Sequence, residues 1–208
     1  DDGANWQSFQ LNLPVTPVMD MILHDGDLAL ATQGRGFYIL DDLAPLRQLG
    51  DSVARDKPWF FTPSRAVRTR YPVTMGSDQQ PEYPPIGAYL DYYLPSAATA
   101  PLVMEILDGS GSVVYTARSD AGAGGGAGAP GQGMRRPVPG AGSPWSALDG
   151  SAGMHRYVWD LSVADPAGGR GRGPLVTPGS YQARLTMGSW SQTRPVEVVL
   201  DPRLVADG

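Results

Sequence analysis

Short runs of alternating and apolar residues, separated by turn residues, fill the N-terminal part of the chain. Alternation of polar and apolar positions is typical of a half-buried strand, and a short apolar run between turns is typical of a buried one. The pattern predicts strands at 7–13, 17–23, 28–32 and 37–40. Residues 24–27 place Asp25-Gly26 at the centre of a predicted hairpin turn.

The C-terminal part of the chain repeats this pattern at longer intervals. Strands are predicted at 88–94, 102–107, 112–116, 153–161, 176–185 and 195–200. Strands at a spacing of about ten residues, with Gly and Pro in the turns, are typical of a β-sandwich. Trp159 and Tyr181 lie on two of these strands, where we expect them to fill the core, with Tyr181 near a tyrosine corner.

Composition supports this fold class and excludes several kinds of function. Gly 27 and Pro 20 are frequent in a chain of 208 residues, whereas charged residues are only 18%. The net charge of −5 argues against a nucleic-acid partner, which normally needs a basic face. No apolar run approaches the roughly 20 residues of a membrane span, so no membrane partner is predicted. With Cys 0, the chain has no disulfide, thiolate metal site or Cys nucleophile.

The first residues resemble the end of an Asp-box, a motif that closes the hairpin of a β-propeller blade. Asp1, Gly3 and Trp6 match its Asp, Gly and Trp positions, and its Ser or Thr would lie before residue 1. The motif needs a turn-capping carboxylate, a Gly in a conformation that other residues avoid, and an aromatic cover. We therefore expect the chain to begin inside a motif, as part of a larger protein.

Two further stretches carry the resemblance. The run Ala-Thr-Gln-Gly-Arg-Gly-Phe at 31–37, and the block 1–49 around it, resembles the final blade of large exported bacterial BNR-repeat propellers, which are similar to sortilin and are called glycosyl hydrolases. The stretches 153–161 and 176–185 resemble strands of the immunoglobulin-like domain of the flagellar hook-capping protein. In related propeller glycosidases the catalytic acids come from blades that face each other, which a single blade cannot supply.

The pattern and the resemblance together predict an all-β protein: a propeller-blade remnant, an extended linker and an immunoglobulin-like β-sandwich. The predicted divisions are a blade remnant at 1–43, a Pro-rich linker at 44–85, a sandwich at 86–202 with a flexible Gly-rich insertion at 121–142, and a tail at 203–208. A lone blade leaves unpaired edges and an uncovered apolar face. We therefore expect a homodimer formed through the blade strands.

Few residues suggest chemistry. His24, Asp25 and Asp27 are proper ligands for a divalent metal such as zinc or manganese, and His155 is a fourth candidate. Asp-Gly-Asp is also what a hairpin turn requires, and this reading is favoured. No other cofactor is predicted. No catalytic residue can be assigned, because Gly-x-Ser-x-Gly is absent and neither His has an evident Ser and Asp pairing.

Exposed aromatic residues are the candidates for ligand binding. Trp145 and Trp190 lie beside flexible or turn segments and could stack on a carbohydrate. The favoured function is a non-catalytic accessory or interaction module of an exported propeller protein. Two alternatives stay open: a promiscuous metal-assisted hydrolase, and a module that binds polysaccharide or peptide.

Overall fold

The structure is a computed structural model that describes residues 3–4, 6, 8–50, 53, 56–69, 85–120, 147–164 and 173–205. The chain divides into two compact units: an N-terminal unit, Asp1–Leu43, and a C-terminal unit, Ala44–Gly208. The described residues form strands in three sheets and only two short helices, so the prediction of an all-β protein is confirmed. No helix in these ranges is long and apolar enough to cross a membrane.

The N-terminal unit contains one antiparallel sheet in the order β1-β2-β3, here called the N-terminal sheet. Its strands are β1 (Val18–His24), β2 (Asp27–Thr32) and β3 (Gly36–Leu40). Asp25 and Gly26 connect β1 and β2 with φ angles of 47° and 95°. Two consecutive positive φ angles define the type I′ turn that suits a two-residue hairpin, so this predicted turn is confirmed.

The predicted strand at 7–13 is wrong. Leu11 has a φ of 48°, and the backbone N–H of Leu13 donates to the carbonyl of Gln10 at 2.9 Å. The segment therefore turns where an extended strand was expected. Its alternation of polar and apolar residues is real, but none of the described strands pairs with it.

The C-terminal unit contains two sheets with the strand orders β5-β11-β10-β7-β8 and β4-β6-β9. Its elements are α1 (Ala44–Gln48), β4 (Trp59–Phe60), β5 (Ala66–Arg68), β6 (Ala88–Leu94), β7 (Leu102–Leu107), β8 (Val113–Arg118), β9 (Gly153–Trp159), β10 (Gly179–Met187), β11 (Trp190–Leu200) and α2 (Pro202–Val205). β5 pairs with β11 in parallel, and the other pairs are antiparallel.

Both sheets of the C-terminal unit contribute to one apolar core. Leu90, Tyr92 and Trp159 come from one sheet, Met104 and Leu185 come from the other, and all five are fully buried. The Trp159 indole N–H donates to the Ser162 carbonyl at 2.9 Å, which satisfies its polar atom inside the core. The placement of Trp159 in the core, expected from the sequence, is confirmed.

The segment 44–85, predicted as a linker, supplies strands to both sheets. Phe60 on β4 and Ala66 on β5 belong to the core, and β4 pairs with β6. The Gln48 side chain fastens α1 to this segment, because its amide accepts from the Thr62 N–H and donates to the Thr62 carbonyl, both at 2.8 Å. The predicted insertion at 121–142 lies outside the described residues.

Candidate functional site

Apolar side chains lie on both faces of the N-terminal sheet. Side chains directly opposite each other on paired strands share a face. Register places Met21, Leu30 and Tyr38 in one row. A row on the other face contains Ile22, Ala29 and Ile39. An apolar row thus crosses all three strands on each face, and the face of Ile22 also carries Asp20, His24 and Asp27.

Large side chains of this sheet are exposed to solvent. Phe37 is 81% exposed, Met21 64%, and Ile22 and Ile39 are each 62% exposed. Several large apolar side chains exposed on one small sheet typically mark a site of association with another protein surface. The sheet is thus the strongest candidate for a functional surface in the described part of the chain.

The metal candidates of this unit lie around its hairpin turn. The Nε2 atom of His24 is 3.4 Å from Oδ2 of Asp25, and both side chains are exposed. Asp27 has a structural role instead, because its Oδ1 accepts the backbone N–H of Asp42 at 2.8 Å. In the described ranges, no three His, Asp or Glu side chains are grouped as a metal site would require. A zinc or manganese site therefore stays a prediction, with His24 and Asp25 as its adjacent candidates.

His155, the fourth metal candidate, lies in the C-terminal unit on β9 and is largely buried. Its ring packs on Tyr92 with centroids 5.2 Å apart. Its Nε2 is 2.7 Å from the Ser151 carbonyl, and its Nδ1 is 3.9 Å from Oδ2 of Asp149. The imidazole thus connects β9 to the loop that contains Ser151 and Asp149.

The same loop is held by Tyr92. The Tyr92 hydroxyl accepts the Asp149 N–H and donates to the Asp149 carbonyl, both at 2.8 Å. Burial raises the pKa of Tyr92, so the hydroxyl stays protonated and can act as a donor. Hydrogen bonds from the Ser151 N–H and then from its hydroxyl lower the pKa of Asp149. These bonds give the cluster a structural role in fixing the loop.

An ion pair that sequence reasoning missed joins β6 to β9. Arg156 donates from Nε and Nη2 to the two carboxylate oxygens of Asp91, at 2.8 and 3.0 Å. Asp91 is buried, and the guanidinium of Arg156 also lies over the ring of Tyr89. One signal was visible: Asp91 is a charged residue in the middle of an otherwise apolar predicted strand. Its partner could not be chosen without the register of the two strands.

The aromatic candidates for carbohydrate binding have different outcomes. Trp145 lies outside the described residues. Trp190 begins β11 opposite Met187, and its half-buried side chain packs against the core. Much of the Trp190 surface is therefore already used in packing.

An open surface depression beside the Tyr92 cluster is lined in part by Asp120 and Asp149. Asp120 is paired with Arg118, and Asp149 accepts from the Ser151 N–H. Both acids are thus engaged in local bonds, which favours a structural role for them.

The chain matches no protein-family model and no curated protein.

Proposed function

We propose that this chain is a non-catalytic interaction module of an exported β-propeller protein, with the N-terminal sheet serving as a propeller blade. The observation that carries the proposal is the row of apolar side chains that crosses the sheet on each of its two faces. A propeller blade lies between two neighbouring blades, so each of its faces is covered by another sheet. A sheet with one solvated face would alternate apolar and polar residues instead.

The residues before the sheet support the blade assignment. Gly3 has a φ of 84°, in the region that favours glycine, and the Trp6 indole N–H donates to the Gly3 carbonyl at 2.8 Å. This is the kind of contact expected where the Gly and Trp of an Asp-box close a turn. Asp1, the remaining member of that resemblance, lies outside the described residues.

For residues 86–202 we propose the immunoglobulin-like sandwich. The Tyr181 hydroxyl, near the start of β10, donates to the Thr177 carbonyl four residues upstream at 2.8 Å. A bond of this type is the tyrosine corner of such sandwiches. The buried Trp159, whose ring meets Tyr181 edge to face at 5.8 Å, supports the same assignment.

The polar clusters support a non-catalytic role. Asp27, Tyr92 and His155 each make hydrogen bonds that fix a turn or a loop. A module that acts by association requires an accessible apolar surface, which the N-terminal sheet supplies, and it requires no reacting group.

The test is self-association of the whole chain, measured by sedimentation and light scattering over a wide concentration range. We expect the wild type to associate. The double variant Phe37→Ser/Ile39→Ser should associate at least about tenfold more weakly, because burying one such side chain contributes about 1.5–3 kcal/mol.

The matched control removes exposed apolar groups from the other unit. Met154 and Leu200 are 51% and 45% exposed, and Met154→Ser/Leu200→Ser should leave association unchanged. Circular dichroism verifies that both double variants stay folded. A wild type that is monomeric at every concentration, or an equal loss in the two double variants, would contradict the proposal.

A further inference from the structure

We propose that β1 is a docking edge for a second copy of this chain, with the two β1 strands antiparallel and centred on Ile22. The inference rests on the proposed function in one respect, because it assigns a second copy as a partner of the same N-terminal sheet. It concerns the β1 edge, whereas Phe37 and Ile39 lie on β3 at the opposite edge, so the two sets of variants test different contacts. It adds a specific register, which the apolar faces alone do not define.

The backbone of β1 is available for pairing. β1 lies at one edge of the N-terminal sheet, and none of the described strands pairs with its outer side. In a two-residue hairpin the closing pair, here His24 and Asp27, exchanges both backbone hydrogen bonds, and such pairs then alternate along the strand. The backbone N–H and C=O groups of Ile22 therefore bond to β2, while those of Met21 and Leu23 point away from β2, toward the open edge of the sheet. In agreement, the Met21 N–H donates to the carboxylate of Asp20, at 2.8 Å.

Symmetry restricts the register. Two edges that pair antiparallel are related by a twofold axis perpendicular to the sheet, so opposite residues must belong to the same face. Centred on Ile22, the pairing places Met21 opposite the partner's Leu23 and Ile22 opposite the partner's Ile22. It also places Asp20 opposite the partner's His24, and symmetry forms each of these contacts twice.

Neighbouring registers give poorer matches. Centred on Met21, the strands would place Asp20 opposite an isoleucine and Val18 opposite a histidine. Centred on Leu23, they would place Met21 opposite Asp25. A carboxylate opposite an imidazole can accept a hydrogen bond from it, whereas a carboxylate opposite an apolar side chain has no such partner. The sequence of β1 is thus complementary to itself in one register, which is why we assign a second copy as the partner.

Asp20 also explains how the β1 edge avoids unspecific pairing when the chain is a single copy. Its carboxylate occupies the outward Met21 N–H, and a charged residue on an edge strand opposes unspecific pairing. In the proposed dimer, the Met21 N–H donates to the carbonyl of the partner's Leu23 instead. The Asp20 carboxylate then faces the partner's His24. The Met21 N–H and the Asp20 carboxylate thus each exchange one polar contact for another.

The first test compares Met21→Pro with Met21→Ala in the whole chain. Proline removes the outward N–H but no bond to β2, whereas alanine keeps the N–H and shortens the side chain. We expect Met21→Pro to associate at least tenfold more weakly than Met21→Ala in sedimentation equilibrium. Hydrogen exchange at Ala29 and Ala31, whose amides bond to β1 in this alternation, must stay slow in both variants. This control separates lost pairing from lost folding.

The second test exchanges the charges. Asp20→Lys and His24→Asp should each weaken association, since the first places a lysine opposite a histidine and the second opposes two carboxylates. The double variant Asp20→Lys/His24→Asp should recover association to within about threefold of the wild type, because a lysine then faces a carboxylate of the partner.

Two outcomes overturn the inference and are distinguishable. If the wild type associates and depends on Phe37 and Ile39, but Met21→Pro and the charge exchange leave association unchanged, the edge register is wrong and the proposed function stands. If the wild type is monomeric at every concentration, both the register and the proposed association function fail.

Discussion

The two units differ in how far their large apolar side chains are exposed to solvent. In the C-terminal unit Phe60, Tyr92 and Trp159 are all 0% exposed. In the N-terminal unit Phe37 is 81% and Met21 64% exposed. Both units are built from short, mostly antiparallel strands. The difference is that two sheets of the C-terminal unit share one core, whereas the N-terminal unit has a single sheet.

The comparison indicates which contacts stabilise each unit. A small sheet with an uncovered apolar face is marginal in water and requires packing against another surface. The C-terminal unit provides that cover internally. The stability of the N-terminal sheet should instead depend on what binds to its faces and edges, and so on protein concentration.

The largest expected effect comes from deleting one phenylalanine in each unit. Phe60→Ala should lower the free energy of unfolding of the C-terminal unit by about 3–5 kcal/mol, because it leaves a cavity in a packed core. Phe37→Ala should change the free energy of unfolding of the N-terminal unit by less than about 0.5 kcal/mol when the chain is monomeric. Urea denaturation, monitored by hydrogen exchange at the amides of each unit, measures the change in the free energy of unfolding for both variants.

Phe60 is well suited to this comparison because its polar contacts survive the substitution. Its backbone N–H donates to Gln192, and its carbonyl accepts from Arg194, both at 2.8 Å. The variant therefore isolates the side chain. Similar losses of unfolding free energy in the two units would show that the N-terminal sheet is covered in solution, and would contradict the difference drawn between the units.

The same contrast explains how much the sequence could predict. The strands at 88–94 and 102–107 were predicted with the observed bounds, because their apolar residues face a core and their ends are marked by turns. The Asp25-Gly26 turn was predicted for a local reason, its need for positive φ. Local signals of this kind predict the structure correctly because the conformation that they favour does not depend on residues distant in the sequence.

Other features could not be predicted because they depend on distant pairing. β5 has only three residues and is defined by its parallel pairing with β11, more than a hundred residues later. The run at 7–13 has a strand-like pattern, but none of the strands in the described part of the chain pairs with it. For the candidate site, the sequence identified His24 and His155 as chemical groups, but it could not show that His155 would be held by Tyr92 and Ser151.

The second prediction tests whether buried charge, like buried apolar surface, is satisfied within the C-terminal unit. Arg156→Met should lower the free energy of unfolding by about 3 kcal/mol, because it leaves the buried Asp91 carboxylate without its bidentate partner. The double variant Asp91→Leu/Arg156→Met should be more stable than Arg156→Met, since neither charge is then buried alone. Thermal and urea unfolding measure the difference. A double variant that is less stable than the single one would contradict this account.

A smaller effect is expected at the proposed tyrosine corner. Tyr181→Phe removes only the hydroxyl that donates to Thr177, so the free energy of unfolding should fall by about 0.5–1.5 kcal/mol. Tyr38→Phe in the N-terminal unit is the matched control, and it should leave the stability of the C-terminal unit unchanged. An unaltered stability in Tyr181→Phe would remove this support for the immunoglobulin-like assignment.

The smallest expected effect is a pH dependence at the loop held by Tyr92. Hydrogen bonds from the Ser151 N–H, then from its hydroxyl, and the nearby His155 lower the folded-state pKa of Asp149. A lowered pKa means that the carboxylate stabilises the fold above the ordinary aspartate value of about 3.9, and that this contribution disappears as the pH falls through the folded-state pKa. Asp149→Asn keeps an oxygen acceptor but cannot titrate, so its free energy of unfolding should fall less steeply on acidification than that of the wild type. Urea denaturation at a series of pH values below 5 compares the two slopes, and a carbon NMR titration of Asp149 locates the midpoint directly. Parallel slopes, or a midpoint at or above the ordinary value, would mean that the hydrogen bonds from Ser151 do not hold the Asp149 carboxylate, and would contradict the structural role of this loop.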